Sequence, residues 1–143
     1  QMVMAQLYRF MFTGQHTDGV LVAACVGDEL HELGMRMVAD HFEMAGWDTH
    51  FVGASTPVQA IVDLAAKRDA DVVALSATMT YHVPEVAETI EALRADERTA
   101  DNPIIVGGYP FNLVSDLYRQ VGADGYAPDA RQAIETATRM LKA

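Results

Sequence analysis

The stretch Val20-Leu21-Val22-Ala23-Ala24-Cys25-Val26-Gly27-Asp28-Glu29-Leu30-His31-Glu32-Leu33-Gly34 decides the fold. Seven consecutive apolar residues that stop at a glycine and an aspartate read as a strand buried on both faces, followed by a turn. The same grammar recurs down the chain. Strands are expected at 20–26, 48–52, 72–76 and 103–107, with a short last one near Gly125 and Tyr126. Between them the apolar period changes to that of a helix: Val58, Ile61, Val62 and Ala65 form one stripe, and Ala130, Ala133, Ile134, Ala137 and Leu141 another. Five repeats of strand then helix predict a parallel sheet covered on both sides.

The local signals agree. Gly46 is placed to end the first helix, Thr56-Pro57 reads as a cap followed by a first-turn proline, and Pro84 and Pro128 are expected to open later helices. Residues 1–18, with Leu7, Tyr8, Phe10, Met11 and Phe12, read as a trailing helix or the remnant of an upstream helical region, and residues 19–143 as one domain. A chain beginning with Gln1 is expected to be a processed or excised piece.

The chain has 143 residues, half of them hydrophobic and 21% charged, as in a globular domain that buries a sizeable core. A net charge of -10 argues against direct binding to nucleic acid, which needs clustered Lys and Arg. The longest apolar run is far short of a membrane span. The single cysteine, Cys25, lies within the first strand and reads as a small buried hydrophobe in a reducing cytoplasm.

Open sheets of this kind bind ligands beyond the carboxyl ends of their strands, where strand order reverses. With a flavodoxin-like (Rossmann-like) order of 2-1-3-4-5, those ends are the segment 27–34, Leu75-Ser76-Ala77-Thr78, and Val106-Gly107-Gly108. Each has an ordinary alternative: a surface histidine in a first helical turn, a serine satisfying the backbone at a strand end, a glycine turn. Together they describe a cleft with an imidazole on one wall, a hydroxyl beside it and a side-chain-free surface opposite. Glu29 is near enough in sequence to accept the second ring N–H of His31, as carboxylates do for metal-bound histidines.

These residues resemble the cobalamin-binding domain family. Its pattern runs Asp-x-His-x-x-Gly, about 41 residues, Ser-x-Leu, 26 to 28 residues, then Gly-Gly. Here Glu29-x-His31-x-x-Gly34 is followed by 41 residues before Ser76-x-Thr78, and then by 28 before Gly107-Gly108. The resemblance implies cobalamin, as adenosylcobalamin or methylcobalamin, held base-off with His31 on cobalt. Ser76 would hydrogen-bond the displaced base, Gly107 and Gly108 would line the channel for the nucleotide tail, Glu29 would hold His31, and Gly34 would let the first helix pass close by. Two departures stand out. Glu29 replaces the usual Asp, and Thr78 the frequent Leu, its methyl still able to touch the base.

The Glu-x-His-x-x-Gly form is similar to that of light-sensing MerR-type transcription regulators and related sensory modules. The leading expectation is therefore a sensory, possibly light-responsive, cobalamin-binding module with no catalytic set of its own. The alternative is a corrinoid carrier subunit that shuttles a methyl group for methyltransferases. An upstream helical cap or effector domain and a homo-oligomer are the partners implied. A phosphate-accepting receiver domain on the same fold is disfavoured, because the third strand ends in Ser76 and not Asp.

Other residues are assigned ordinary roles. His16, His41, His50 and His82 read as surface or loop residues, and Trp47 as packing on the sheet face away from the site. Tyr81 and His82 follow the third strand and would rim the corrin. Phe111 and Asn112 are placed to touch the tail.

Overall fold

The alternation seen in the sequence becomes a five-stranded parallel sheet in a computed structural model that describes residues 19–26, 32–53, 56–77 and 82–142. The strands are β1 (Val20–Cys25), β2 (Asp48–Val52), β3 (Val72–Ser76), β4 (Ile104–Gly107) and β5 (Gly125–Tyr126), in the order β2-β1-β3-β4-β5. The helices are α1 (Glu32–Met44), α2 (Val58–Lys67), α3 (Val83–Ala95), α4 (Tyr109–Leu113), α5 (Leu117–Gln120) and α6 (Ala130–Lys142). The trailing helix expected within residues 1–18 lies outside the described residues.

β1, β3 and β4 are apolar on both sides because both sides are covered. Leu21, Ala23, Cys25, Val72, Ala74 and Ile105 pack towards α1 and α6. Val22, Ala24, Val73, Leu75, Ile104 and Val106 pack towards α2 and α3. Edge strand β2 is only half-buried.

Two strand limits differ from expectation by one residue. β1 ends at Cys25, although the Val26 N–H still donates to the Ser76 carbonyl at 2.8 Å, and β4 begins at Ile104. Pro103 has no N–H to give the ladder, but its carbonyl accepts from Val73 at 2.9 Å.

Helix ends show which local signals were right. Gly46, at φ 94°, closes α1 with the Trp47 N–H on the Phe42 carbonyl and the Gly46 N–H on that of Glu43, both at 3.0 Å, a Schellman motif. Pro84 falls in the first turn of α3. The other two proline readings are corrected. Pro57 itself is the N-cap of α2, and the Thr56 hydroxyl donates backwards to the Gly53 carbonyl at 2.6 Å. Pro128 stands before the cap of α6, where the Asp129 carboxylate accepts the Gln132 N–H at 2.9 Å.

At the amino edge, two carboxylates fasten the strand starts. Asp71 Oδ2 accepts the Val20 N–H, Asp124 Oδ2 accepts the Ile104 N–H, both at 2.8 Å, and Arg94 adds a 2.6 Å contact to Asp124. Trp47 also sits at this edge. It packs on the α1 and α6 side with Leu21 and Phe42, edge-to-face with Phe42 at 5.4 Å. It therefore shares the site's face, contrary to expectation, and is separated from the site by strand length. The opposite, carboxyl edge is left for function.

Candidate functional site

Strand order reverses between β1 and β3, and at their carboxyl ends the parallel register aligns Cys25 with Ser76 and Ser76 with Gly107. Two residues after Ala74 on the same strand, Ser76 shares its face and points towards the α1 and α6 layer. The row thus runs from a buried thiol through a half-buried hydroxyl to a residue without a side chain.

The two glycines are required first by the chain's own packing. Gly108 has φ 110°, and a Cβ there would overlap the carbonyl oxygen of Ala77. A Cβ on Gly107 would stand 3.0 Å from the Ala127 carbonyl oxygen. A cavity opens above these strand ends.

That cavity measures about 230 Å³. Its floor is Ala74, Ser76, Ile105 and Gly107, with Gly108 at the edge. α1 supplies one wall through Met35 and Val38, and Ala127, Pro128, Asp129 and Ala133 supply the other. Two main-chain N–H groups beside it are engaged: Ala77 N–H donates to the Gly107 carbonyl at 3.2 Å and Ala127 N–H to that of Val106 at 3.1 Å. Asp129 is occupied in capping α6. Among the described residues the Ser76 hydroxyl has no hydrogen-bond partner. The arrangement is an apolar slot with one uncommitted hydroxyl, suited to a flat, mostly apolar group carrying one polar edge atom.

The structure brings Ser76, Gly107 and Gly108 together as the sequence predicts. Gly34 lies in the first turn of α1. Glu29, His31, Thr78 and Tyr81 lie outside the described residues. Phe111 is corrected: it is fully buried in the opposite core layer with Val121 and Ile90, away from the slot. Asn112 is engaged by the Tyr126 hydroxyl. His41 bonds the Met37 carbonyl one turn back at 2.8 Å, His50 lies 3.4 Å from Asp48, and His82 precedes α3, 3.5 Å from Glu85. Among the described residues no group of three or more His, Cys, Asp or Glu side chains is arranged to hold a metal, and no helix is long and apolar enough to cross a membrane.

Sequence reasoning missed the walls. Met35 and Val38 follow His31 by four and seven residues, a helical spacing that was available as a signal. Ala133 was read only as part of a packing stripe. No local pattern announces that α6 folds back opposite α1.

Comparison with known proteins adds a family. The model of the B12 binding domain matches residues 19–135. Dimethylamine corrinoid protein 1 of Methanosarcina acetivorans is 30% identical over 123 residues, which make up 86% of this chain and 57% of that protein. Dimethylamine corrinoid protein 3 of Methanosarcina mazei is 29% identical over 86% of this chain and 72% of its own length. The chain thus spans a little over half of the first of these relatives. Among solved structures, a cobalamin-binding protein from Desulfitobacterium hafniense superposes with a TM-score of 0.77 at 28% identity, covering 85% of this chain and 58% of that one.

Proposed function

The chain belongs to the B12 binding domain family and its cofactor is cobalamin; from that premise we propose that it is the corrinoid-carrying module of a methyl-transfer system. The observation that carries this reading is the slot at the carboxyl edge of β3 and β4, in a chain similar over 86% of its length to dimethylamine corrinoid proteins. Relatives of this kind favour the carrier over the sensory module that the Glu29 variant suggested.

The residues present fit the cofactor. Ser76 would offer its hydroxyl to the free ring nitrogen of the displaced base, Ala74, Ile105 and Ala133 would accept its apolar faces, and Gly107 and Gly108 would line the sheet edge along which the tail runs. His31 is the proposed lower ligand of cobalt, with Glu29 accepting its other ring N–H and so fixing the tautomer and raising its basicity. Gly34, in the first turn of α1, and Thr78, two residues beyond Ser76, complete the proposed contact set. When bound, the corrinoid supplies a cobalt centre able to accept and give up a methyl group. The chain's own part is to bind, to hold the base out of the way and to orient the ring for a partner.

A methyltransferase is accordingly the proposed partner. The test uses the purified chain loaded with cobalamin. After reduction and exposure to a methyl donor it should take up a stoichiometric methyl group and pass it to a thiol acceptor when a corrinoid-dependent methyltransferase is added. A loaded chain that yields no methyl group to any such enzyme, but changes oligomeric state on illumination, would instead support the sensory reading favoured by Glu29.

A further inference from the structure

We infer that Tyr126 and Asn112 are positioning residues for the cofactor: their hydrogen bond, made on the sheet face away from the slot, fixes the backbone of Ala127 against Gly107 and Gly108. This rests on the proposed course of the nucleotide tail along those glycines.

The wall that carries Ala127, Pro128 and Asp129 leaves the sheet from its shortest strand. β5 has two residues, paired as Gly125 with Ile105 and Tyr126 with Val106, and after them the Ala127 N–H reaches the Val106 carbonyl at 3.1 Å. A strand with so few backbone bonds opens at low cost. The wall must nevertheless keep its place, because the Ala127 carbonyl oxygen lies 3.0 Å from where a Cβ on Gly107 would stand.

The side chains supply a further tie. Successive residues of a strand face opposite ways: Ala127 packs in the α1 and α6 layer, and Tyr126 against the other core layer, where its ring stacks on Tyr118 at 6.3 Å. There the Tyr126 hydroxyl donates to Asn112 Oδ1. Asn112 is itself bound to the Gly108 carbonyl through its backbone N–H at 3.3 Å, as is Phe111 at 3.1 Å. The circuit runs from Gly108 to Asn112, across to Tyr126, along to Ala127 and back to β4, so it encloses the end of β4 with both glycines. Neither Tyr126 nor Asn112 lines the slot. Phe111, buried in the core, already anchors α4; what the Tyr126 bond adds is the link from α4 to β5, and with it the gap between Gly108 and the Ala127 wall.

Tyr126→Phe removes the hydroxyl and keeps the ring on Tyr118. The full chain and this variant, each checked for native circular dichroism, are titrated with cobalamin and with cobinamide, which has neither nucleotide tail nor base. Binding is read from the absorption change and from colour retained after desalting. Losing one hydrogen bond makes the competent arrangement rarer and lowers apparent affinity in proportion. Cobalamin should therefore bind the variant about three- to tenfold more weakly, and cobinamide should bind both chains equally. Asn112→Ala should match Tyr126→Phe, the double substitution should be no worse than either alone, and Asn112→Asp, which keeps the acceptor, should retain wild-type affinity. If either single variant folds and keeps the wild-type ratio of cobalamin to cobinamide affinity, the inference is overturned, since a merely structural bond moves Tm alone. Additive losses in the double substitution would overturn the pairing. A wild-type chain that binds cobinamide as tightly as cobalamin would overturn the seating of the tail, and one that retains no corrinoid would overturn the proposed function itself.

Discussion

At the end of β3 a hydroxyl stands between a buried thiol, Cys25, and a glycine, Gly107, and it alone of the three has an uncommitted polar atom. Ser76→Ala should leave folding unchanged, because a half-buried side chain without a partner holds nothing together, while cobalamin affinity falls roughly tenfold through loss of one hydrogen bond; equilibrium titration of the folded variant checks this. Gly108 behaves in the opposite way. With φ at 110° and the Ala77 carbonyl against it, Gly108→Ala should cost about 2–4 kcal/mol from backbone strain and overpacking together, seen as a lowered Tm even without cobalamin. The spacing of Ser76 and Gly107-Gly108 was legible because each side chain, or its absence, sits at a strand end. Met35, Val38 and Asp129 were not, because what they line is created by two helices distant in sequence meeting over the sheet.

Elements were legible in proportion to their length. β1, β3 and β4 are continuous apolar runs and α2 and α6 show apolar stripes, whereas α4 and α5, at five and four residues, are too short to show a period. Trp47 illustrates a different failure: its burial was readable, but its face depended on how the Schellman turn at Gly46 directs the chain back towards Gly19. Beyond α3, Asp96 accepts the Arg98 backbone N–H at 2.9 Å and the guanidinium at 2.8 Å, and Arg98 reaches Asp63 on α2 at 3.0 Å. The Arg98 side chain lowers the Asp96 carboxyl from 3.8 to about 2, with its backbone N–H adding to the effect. A carboxyl whose folded value lies below its unfolded one contributes stability that is complete above the unfolded value and is lost as pH falls through the folded one. Asp96→Asn should therefore lower Tm slightly at neutral pH, and the difference should vanish between pH 3.8 and about 2; thermal melts across that window test it, and a difference that persists at the acid end would contradict it. Glu43 has the reverse sign. Burial first, and then Asp40 and Asp48, raise its carboxyl, so ionising it opposes folding and Glu43→Gln should raise Tm at neutral pH but not at low pH, a gain measurable in the same melts.

Across the whole molecule, the two edges of the sheet are specialised. The amino edge is tied together by Asp71, Asp124, Arg94 and Trp47, and the carboxyl edge holds the slot. This division follows from the parallel topology, since every strand ends on the same side and every crossover returns to the other. It is also why a fold of this kind does not name its ligand. The cavity at the carboxyl edge contains Ser76, Gly107 and Gly108 of the sequence pattern. A net charge of -10 disfavours direct contact with nucleic acid, which is bound through clustered Lys and Arg.

The central claim is that cobalamin is held with its own base in the slot and His31 in its place on cobalt. The most direct measurement is the electron paramagnetic resonance spectrum of cob(II)alamin bound to chain labelled with nitrogen-15 histidine. The account predicts axial nitrogen splitting as a doublet from the labelled imidazole, lost in His31→Ala. A triplet from unlabelled nitrogen, unchanged by that substitution, would mean that the base has stayed on cobalt and would contradict the account.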